Sequence, residues 1–357
     1  MLQLVAGSAG GDVRVTRARR ARRLVTGAMY GGGGVGLAGA GLVTLVRSEA
    51  RWARRRVQAN AAKADPPSGD GVYGSGSGTP LVLAVLGDSS AVGHGVERSG
   101  ETPGVLVAAG LAELAERPVR LVRLAVTGSV SRALEAQVER ALAERPDVAM
   151  IMIGANDVTS RTKPAVSVRY LAEAVRRLVG TGCQVVVGTC PDLGTIRPIS
   201  QPLRLLARRW SRQLAAAQTI AVVAEGGRTV SLGDVLGPTF AEDLSLFSRD
   251  QFHPSAAGYA AAAAVMLPSI ADSLGVWPAS ADRGLRGRIG SVRPVARAAA
   301  SAAGRAGTEV QPTEVRGSDS GHRGPWARLR RRRPPEMPTA DAAAGAARQV
   351  AGPGARG

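Results

Sequence analysis

The sequence predicts an α/β fold, in which a parallel sheet of about five strands carries helices on both faces. Residues 81–86, LVLAVL, are consecutive apolar residues, too few for a surface helix and without the polar face that such a helix needs. A run of this kind is typical of a strand buried on both sides. Similar runs alternate with helical segments as far as residue 278. Since parallel strands require long crossover connections, this alternation predicts a parallel sheet.

The remaining elements follow from the same alternation. Further strands are predicted at residues 119–126, 147–153, 184–189 and 229–232. Helices are predicted where apolar residues recur at helical spacing, at residues 103–116, 129–144, 166–179, 202–225 and 255–267. Arg117-Pro118 and Arg145-Pro146 end the first two helices, because the residue before a proline disfavours the α conformation. Residues 80–278 are therefore predicted to form the folded domain.

Positive charge is concentrated at the two ends of the chain. Of the net charge of +18, residues 1–79 carry +8, residues 80–278 carry +1 and residues 279–357 carry +9. Basic ends are typical of solvated tails, with attraction to anionic lipid or nucleic acid as the alternatives. We expect no specific nucleic-acid partner, because the C-terminal tail lacks interleaved aromatic residues. Residues 279–357 have few large apolar groups to offset their ordering entropy, so they are predicted to be disordered.

The N-terminal region contains a candidate membrane segment. Residues 24–46 carry no charge and are long enough to span a bilayer, although eight of them are glycines. Arginines on both sides remove any orientation signal. A single membrane anchor is the preferred interpretation, which predicts a location at the cell membrane or envelope. One alternative is a peripheral or soluble segment, which would allow a cytoplasmic location. The other alternative is a cleaved signal peptide. Residues 1–23 form a basic segment, and residues 47–79 are basic and then become a Pro/Gly/Ser linker.

The chain has two cysteines, which flank the predicted strand at residues 184–189. Extended chain would separate the Cα atoms of Cys183 and Cys190 by roughly 23 Å. A disulfide needs about 4.4–6.8 Å, so the two cannot bridge each other. Cys190 follows a strand end, where a buried structural thiol is the expected role.

The first candidate for chemistry is Ser89, in the turn formed by residues 87–90 after the first strand. Open α/β sheets place their ligand crevice at the carboxyl ends of strands, where a hydroxyl can face a substrate. The alternative is that Asp88, Ser89 and Ser90 only cap the following helix. Asp88 is expected to shape the turn and not to act as an acid.

Elimination among three histidines leads to His253. His322 lies in the predicted tail and His94 lies in a glycine turn, whereas His253 directly precedes the last helix. Asp250, three residues earlier, can accept a hydrogen bond from Nδ1 of His253 and leave Nε2 free to take a proton. The order Ser, Asp, His along the chain is one found in hydrolase triads. A structural histidine beside a capping aspartate is the alternative.

Two further turns supply candidate hydrogen-bond donors. If the first and third strands are neighbours, the amide of Asn156 can donate to an oxygen that develops negative charge. Gly128 follows the second strand and would let a backbone N–H approach the same oxygen. Each of the two is by itself more typical of an ordinary turn residue, and Asp157 is expected to shape its turn. Their common position after strand ends favours a single crevice.

Four ordered motifs together resemble a known family. Gly87-Asp88-Ser89, Gly128, residues 154–157 (GAND) and residues 250–253 (DQFH) resemble the blocks of the SGNH hydrolase superfamily, also called GDSL esterases and lipases. The resemblance covers about residues 80–267, and this segment is similar to actinobacterial members of the family. It implies a flavodoxin-like three-layer α/β/α sandwich. It also implies that Ser89 is the nucleophile, His253 the base and Asp250 the third triad member. Ser89, Gly128 and Asn156 would form the oxyanion hole.

The predicted function is therefore hydrolysis of acyl esters of a small molecule or lipid through an acyl-Ser89 intermediate. A carbohydrate O-acetyl esterase, a thioesterase and an inactive membrane-surface binding module are the alternatives. No cofactor is predicted, because no Gly-rich nucleotide motif follows a strand. No metal is predicted either, because His, Cys and carboxylate residues do not cluster at ligand spacing along the chain. The sequence predicts no particular oligomeric state.

Overall fold

A mostly parallel sheet organises the protein. The computed structural model describes residues 44–233, 244–277, 293–304, 307–312 and 326–331. Its strands are β1 (Gly71–Tyr73), β2 (Leu81–Gly87), β3 (Val119–Arg123), β4 (Val148–Met152), β5 (Gln184–Gly188), β6 (Arg228–Val230), β7 (Arg293–Pro294), β8 (Thr308–Pro312) and β9 (Trp326–Arg331). They are ordered β1-β3-β2-β4-β5-β6-β8-β9-β7. The central neighbours from β3 to β6 are all parallel, which confirms the predicted five-stranded parallel sheet.

Helices connect these strands. They are α1 (residues 44–60), α2 (Ser89–Val92), α3 (Pro103–Ala115), α4 (Leu134–Ala143), α5 (Ala155–Thr159), α6 (Pro164–Val179), α7 (Leu203–Ala224), α8 (Ala256–Ser273) and α9 (Val295–Ala302). The chain divides into two units, Met1–Trp52 and Ala53–Gly357. Of the first unit the structure describes residues 44–52, which are helical. All of the strands belong to the second unit.

The central strands are buried on both faces because each face meets helices. Side chains alternate along a strand, so Leu83 and Val85 of β2 pack on the side of α3 and α8. Ala84 and Leu86 point to the other side and pack with α4 and α6. All four are completely buried. This arrangement is the three-layer α/β/α sandwich of the flavodoxin type, as predicted.

The element boundaries differ from the predictions in a few places. Strand β3 ends at Arg123, yet the next three residues still donate backbone hydrogen bonds to Val85 and Gly87 of β2. Helix α8 continues through Pro268 to Ser273, beyond the predicted end at residue 267. Helix α5 was not predicted, because a single turn of helix has too few residues to show a periodic pattern.

The prediction of a linker before the domain is wrong for residues 64–73, which we call the strap. Part of the strap is β1, which pairs antiparallel with β3 at the edge of the sheet. Asp70 accepts a hydrogen bond from the backbone N–H of Arg123, and the side chain of Tyr73 is buried. Composition suggested a flexible segment, but a few specific contacts hold it on the sheet. Most of the basic stretch before it, up to residue 60, is helical.

The prediction of a disordered tail is wrong for the described parts of residues 279–357. Strand β8 pairs with the edge of β6 and continues the sheet into β9 and β7. Val310 is fully buried, and the carboxylate of Glu309 accepts hydrogen bonds from Arg228 and Ser269. An otherwise exposed sheet edge offers unpaired backbone groups, so even a segment with few apolar residues can dock there.

No helix within the described ranges is long and apolar enough to cross a membrane. The predicted membrane segment covers residues 24–46, and residues 24–43 of it lie outside the described residues. The basic segment at residues 1–23 also lies outside them.

Candidate active site

The turn after β2 presents Ser89 at the start of a helix. Asp88 is the N-cap of α2, and its side chain accepts a hydrogen bond from the backbone N–H of Ser90. Gly87 has a φ of 135°, and a Cβ atom at this position would lie 1.9 Å from the carbonyl oxygen of Met152. Only glycine allows this turn to pass so close to β4.

A buried glutamine fixes the same turn from the other side. The Gln137 side chain accepts a hydrogen bond from the Gly87 N–H at 2.7 Å and donates one to the Gly87 carbonyl at 2.9 Å. Its Nε2 atom also lies 3.4 Å from the hydroxyl of Ser129. Gln137 therefore ties the end of β2 to the loop that contains Gly128. This role of Gln137 was not predicted, because a glutamine within a helix carries no distinctive signal in the sequence.

Ser89, His253 and Asp250 lie in one chain of hydrogen bonds. Nε2 of His253 is 3.0 Å from Oγ of Ser89, and Nδ1 is 2.6 Å from Oδ2 of Asp250. The other carboxylate oxygen of Asp250 accepts hydrogen bonds from the Ser248 hydroxyl and from the backbone N–H groups of Phe252 and His253. The turn thus holds the Asp250 carboxylate in place, and the carboxylate in turn orients the His253 imidazole.

The Asp250 carboxylate is held in its ionised form. Burial raises its pKa, but the hydrogen bonds and charge of His253, with the backbone donors, outweigh burial and lower the pKa to about 2. An ionised acceptor at Nδ1 requires a proton on that nitrogen. Nε2 of a neutral His253 is then the basic nitrogen, and it is the one that faces Ser89.

Asn156 and the Gly128 loop lie beside each other. Nδ2 of Asn156 donates a hydrogen bond to the carbonyl of Ser129 at 3.1 Å. Gly128 is exposed and has a φ of 83°, a left-handed conformation that favours glycine. Strands β2 and β4 are neighbours, as the oxyanion hypothesis required. Both predicted donors therefore lie at the carboxyl end of the sheet, where Ser89 also lies.

Asp157 holds two neighbouring segments together. Its buried carboxylate accepts hydrogen bonds from the backbone and hydroxyl of Ser131 and from the hydroxyl of Ser167. This fits the expected role of shaping its turn. Cys190 is completely buried, and burial raises the pKa of its thiol well above the usual value, so it stays protonated.

Asp88 is buried more completely than its capping role requires. Its Oδ2 atom has no hydrogen-bond partner among the described residues. Asp88 is also one of the residues that line a cavity of about 30 Å³. Burial raises the pKa of Asp88 to about 6, although hydrogen bonds from Ser90 act in the opposite direction. Ionisation of this carboxyl group is therefore less favourable in the folded protein than in the unfolded chain.

We predict that Asp88 makes folding stability fall as the pH rises. Its folded pKa of about 6 exceeds the usual value of 3.8, so the folded state binds the proton more tightly. The stabilisation is complete below pH 3.8 and is lost as the pH rises through about 6, a change of about 3 kcal/mol. Asp88→Asn removes this titration. We compare the free energies of unfolding of the two proteins in urea. Between about pH 4 and about pH 7.5, the free energy of unfolding of Asp88→Asn should rise by about that much relative to the free energy of unfolding of the unmodified protein. If the two free energies instead changed with pH in the same way, the prediction would be wrong.

His94, for which the sequence predicted only a place in a glycine turn, lies beside His253. Its ring lies against the ring of His253, with centroids 4.6 Å apart and planes at 66°. Its Nδ1 atom is 2.7 Å from Oδ1 of Asp65, in the strap. His94, Asp250 and His253 also bring their ligand-type atoms within 4.8 Å of one another, a grouping that spacing along the chain did not predict. The one feature of the sequence that could have placed His94 near the site is its position five residues after Ser89.

Comparison with known proteins shows that this chain is an enzyme of the class that hydrolyses ester bonds. The model of the GDSL-like lipase/acylhydrolase family matches residues 85–261. The GDSL-like esterase Rv1075c of Mycobacterium tuberculosis is 45% identical over 222 residues, which cover 58% of this chain and 71% of the relative. The chain belongs to the GDSL-like lipase/acylhydrolase family, which is the SGNH superfamily that its motifs resemble.

Solved structures of similar chains include Axe2 and TesA. Axe2, an acetylxylan esterase from Geobacillus stearothermophilus, is 20% identical and matches 56% of this chain and 95% of its own, with a TM-score of 0.42. TesA is 22% identical and matches 56% of this chain and 100% of its own, with a TM-score of 0.42.

Proposed function

We propose that this protein is a serine esterase that cleaves carboxylic esters through an acyl-Ser89 intermediate. The observation that carries the proposal is the 3.0 Å contact between Oγ of Ser89 and Nε2 of His253, with Asp250 on the opposite nitrogen. Ser89 attacks the acyl carbon while His253 takes its proton, and His253 then gives that proton to the departing alcohol. Water activated by His253 releases the acid and restores Ser89.

The proposed oxyanion hole consists of the N–H groups of Ser89 and Gly128 and the side-chain amide of Asn156. Support comes from chemistry at each position. The Ser89 N–H lies in the first turn of α2, where an N–H has no acceptor within the helix. A primary amide has two donors, so Asn156 can keep its bond to the Ser129 carbonyl and still donate to an oxyanion. Donors fixed before the reaction stabilise charge that develops in the transition state.

The substrate class is an acyl ester of a small molecule or lipid. A panel of p-nitrophenyl acetate, butyrate, octanoate and palmitate, an acetylated sugar and an acyl thioester, assayed with the full chain, tests this proposal. We expect turnover of at least one p-nitrophenyl ester. Turnover of the thioester or of the sugar ester alone would move the function to one of those two classes. If the chain hydrolysed none of these substrates, the enzymatic proposal would be overturned, and a binding module would remain as the alternative.

We also propose that the chain associates with the cell membrane or envelope through residues 24–46, because this stretch is uncharged and flanked by arginines. The full chain should float with phospholipid vesicles at both low and high salt, since apolar insertion is not screened. A chain without residues 1–46 should not float. Equal flotation of the two chains, or of neither, would contradict this proposal.

A further inference from the structure

We propose that Asp65 and His94 form a second carboxylate–imidazole pair that positions His253 and the Gly128 loop relative to each other. The inference deepens the proposed function and rests on it. Asp65 is part of the strap, and His94 lies between the strap and His253. Neither residue belongs to the Ser89, His253 and Asp250 chain. Both are positioning residues, because they act on the reacting groups through other residues.

His94 is held at its backbone and at its ring. Its N–H donates to the carbonyl of Ser89 at 3.0 Å, and its carbonyl accepts from the hydroxyl of Tyr259 at 2.8 Å. Its Nδ1 bonds Asp65, and the residue is only 7% exposed. The ring meets the His253 ring in an edge-to-face arrangement. A His94 ring fixed in this way limits the positions that the His253 imidazole can take.

Asp65 joins the His253 side of the site to the Gly128 side. The same oxygen, Oδ1, accepts from Nδ1 of His94 and from the hydroxyl of Thr127, each at 2.7 Å. Thr127 is the residue before Gly128, the proposed oxyanion donor. Burial raises the pKa of Asp65, but the hydrogen bonds from Thr127 and His94 outweigh burial and lower it. The ionised carboxylate can thus accept both bonds at once.

The strap holds Asp65 by contacts that do not involve the site. Nη1 of Arg123 donates to the carbonyls of Pro66 at 3.1 Å and Pro67 at 3.3 Å. Asp70 accepts from the Arg123 N–H at 2.6 Å, and β1 pairs with β3. Removing the Asp65 carboxylate therefore leaves the strap attached. Because the Asp65 side chain is 38% exposed, its removal mainly deprives His94 and Thr127 of their acceptor.

The test compares Asp65→Ala with Asp70→Ala. Both variants remove a strap carboxylate, but only Asp65 contacts the site. For a p-nitrophenyl ester that the unmodified chain cleaves, we expect Asp65→Ala to lower kcat by about 10- to 100-fold with KM nearly unchanged, because the groups that react are misplaced. Asp65→Asn keeps an acceptor oxygen and should recover part of the loss. Asp70→Ala should lower Tm and leave kcat unchanged.

A second readout does not depend on turnover. The imidazole NMR resonances of His253 should shift in Asp65→Ala and stay in place in Asp70→Ala. Unchanged kcat and unchanged resonances in a folded Asp65→Ala protein would overturn the positioning role, as would an equal loss of kcat in both alanine variants. Failure of the unmodified chain to cleave any ester would instead overturn the proposed function. In that case, His253 resonances that do not shift in Asp65→Ala would also overturn the positioning of His253 by Asp65 and His94.

Discussion

Replacing Ser89 with alanine is expected to abolish ester hydrolysis, with a loss of kcat of about ten-thousandfold or more. The substitution removes only the Oγ atom that lies 3.0 Å from Nε2 of His253. Without this oxygen no acyl-enzyme can form, and the remaining donors can do no more than favour direct attack by water. Ser89 is the first residue of α2, where alanine is a good helix former, so Tm should change little.

Ser90 provides the matched control for Ser89. It carries the same hydroxyl one residue later, and its backbone N–H donates a hydrogen bond to Asp88. The kcat/KM of Ser90→Ala should stay within about threefold of that of the unmodified protein, because the backbone N–H that bonds Asp88 remains in place. Activity that survives in Ser89→Ala and disappears in Ser90→Ala would show that the neighbouring serine is the nucleophile.

The second large effect is expected from His253. His253→Ala removes the group that takes the proton from Ser89, and kcat should fall nearly as far as in Ser89→Ala, because the two residues act as a unit. The Asp250 carboxylate would keep its bonds from Ser248 and the backbone, so the turn should remain folded. Steady-state kinetics together with thermal denaturation separate a lost base from a lost fold.

His94 is the control for His253. Its ring lies 4.6 Å from the ring of His253, but its Nδ1 bonds Asp65. His94→Ala should therefore cost about as much as Asp65→Ala, about 10- to 100-fold in kcat, and not abolish turnover. A reversed order, with His253→Ala active and His94→Ala inactive, would mean that His94 is the base.

Most of the fold that carries the site could be predicted from the sequence. Strands such as β2 and β4 are buried on both faces, so their residues are apolar without interruption and the signal is strong. The turns after them contain glycine where the backbone demands it, as at Gly87. Because the carboxyl ends of parallel strands share one edge, the positions of Ser89 and Asn156 followed from the order of elements alone.

The strap and the strands of the C-terminal tail could not be predicted, because they dock at the edges of the sheet. A few specific contacts hold them, such as Asp70 to Arg123 and Arg228 to Glu309. Contacts between residues far apart in the chain leave no periodic pattern. The same reason hid the pairing of Asp65 with His94, since one lies in a Pro/Gly/Ser-rich stretch and the other in a glycine turn.

The central claim is that the Ser89 hydroxyl is activated by His253. Treating the full chain with a fluorophosphonate and mapping the modified peptide by mass spectrometry tests this claim most directly. We expect one phosphonylated residue, Ser89, and a much slower reaction in His253→Ala. Label on Ser90 or on another serine, equal labelling in His253→Ala, or no label on a folded protein would contradict it.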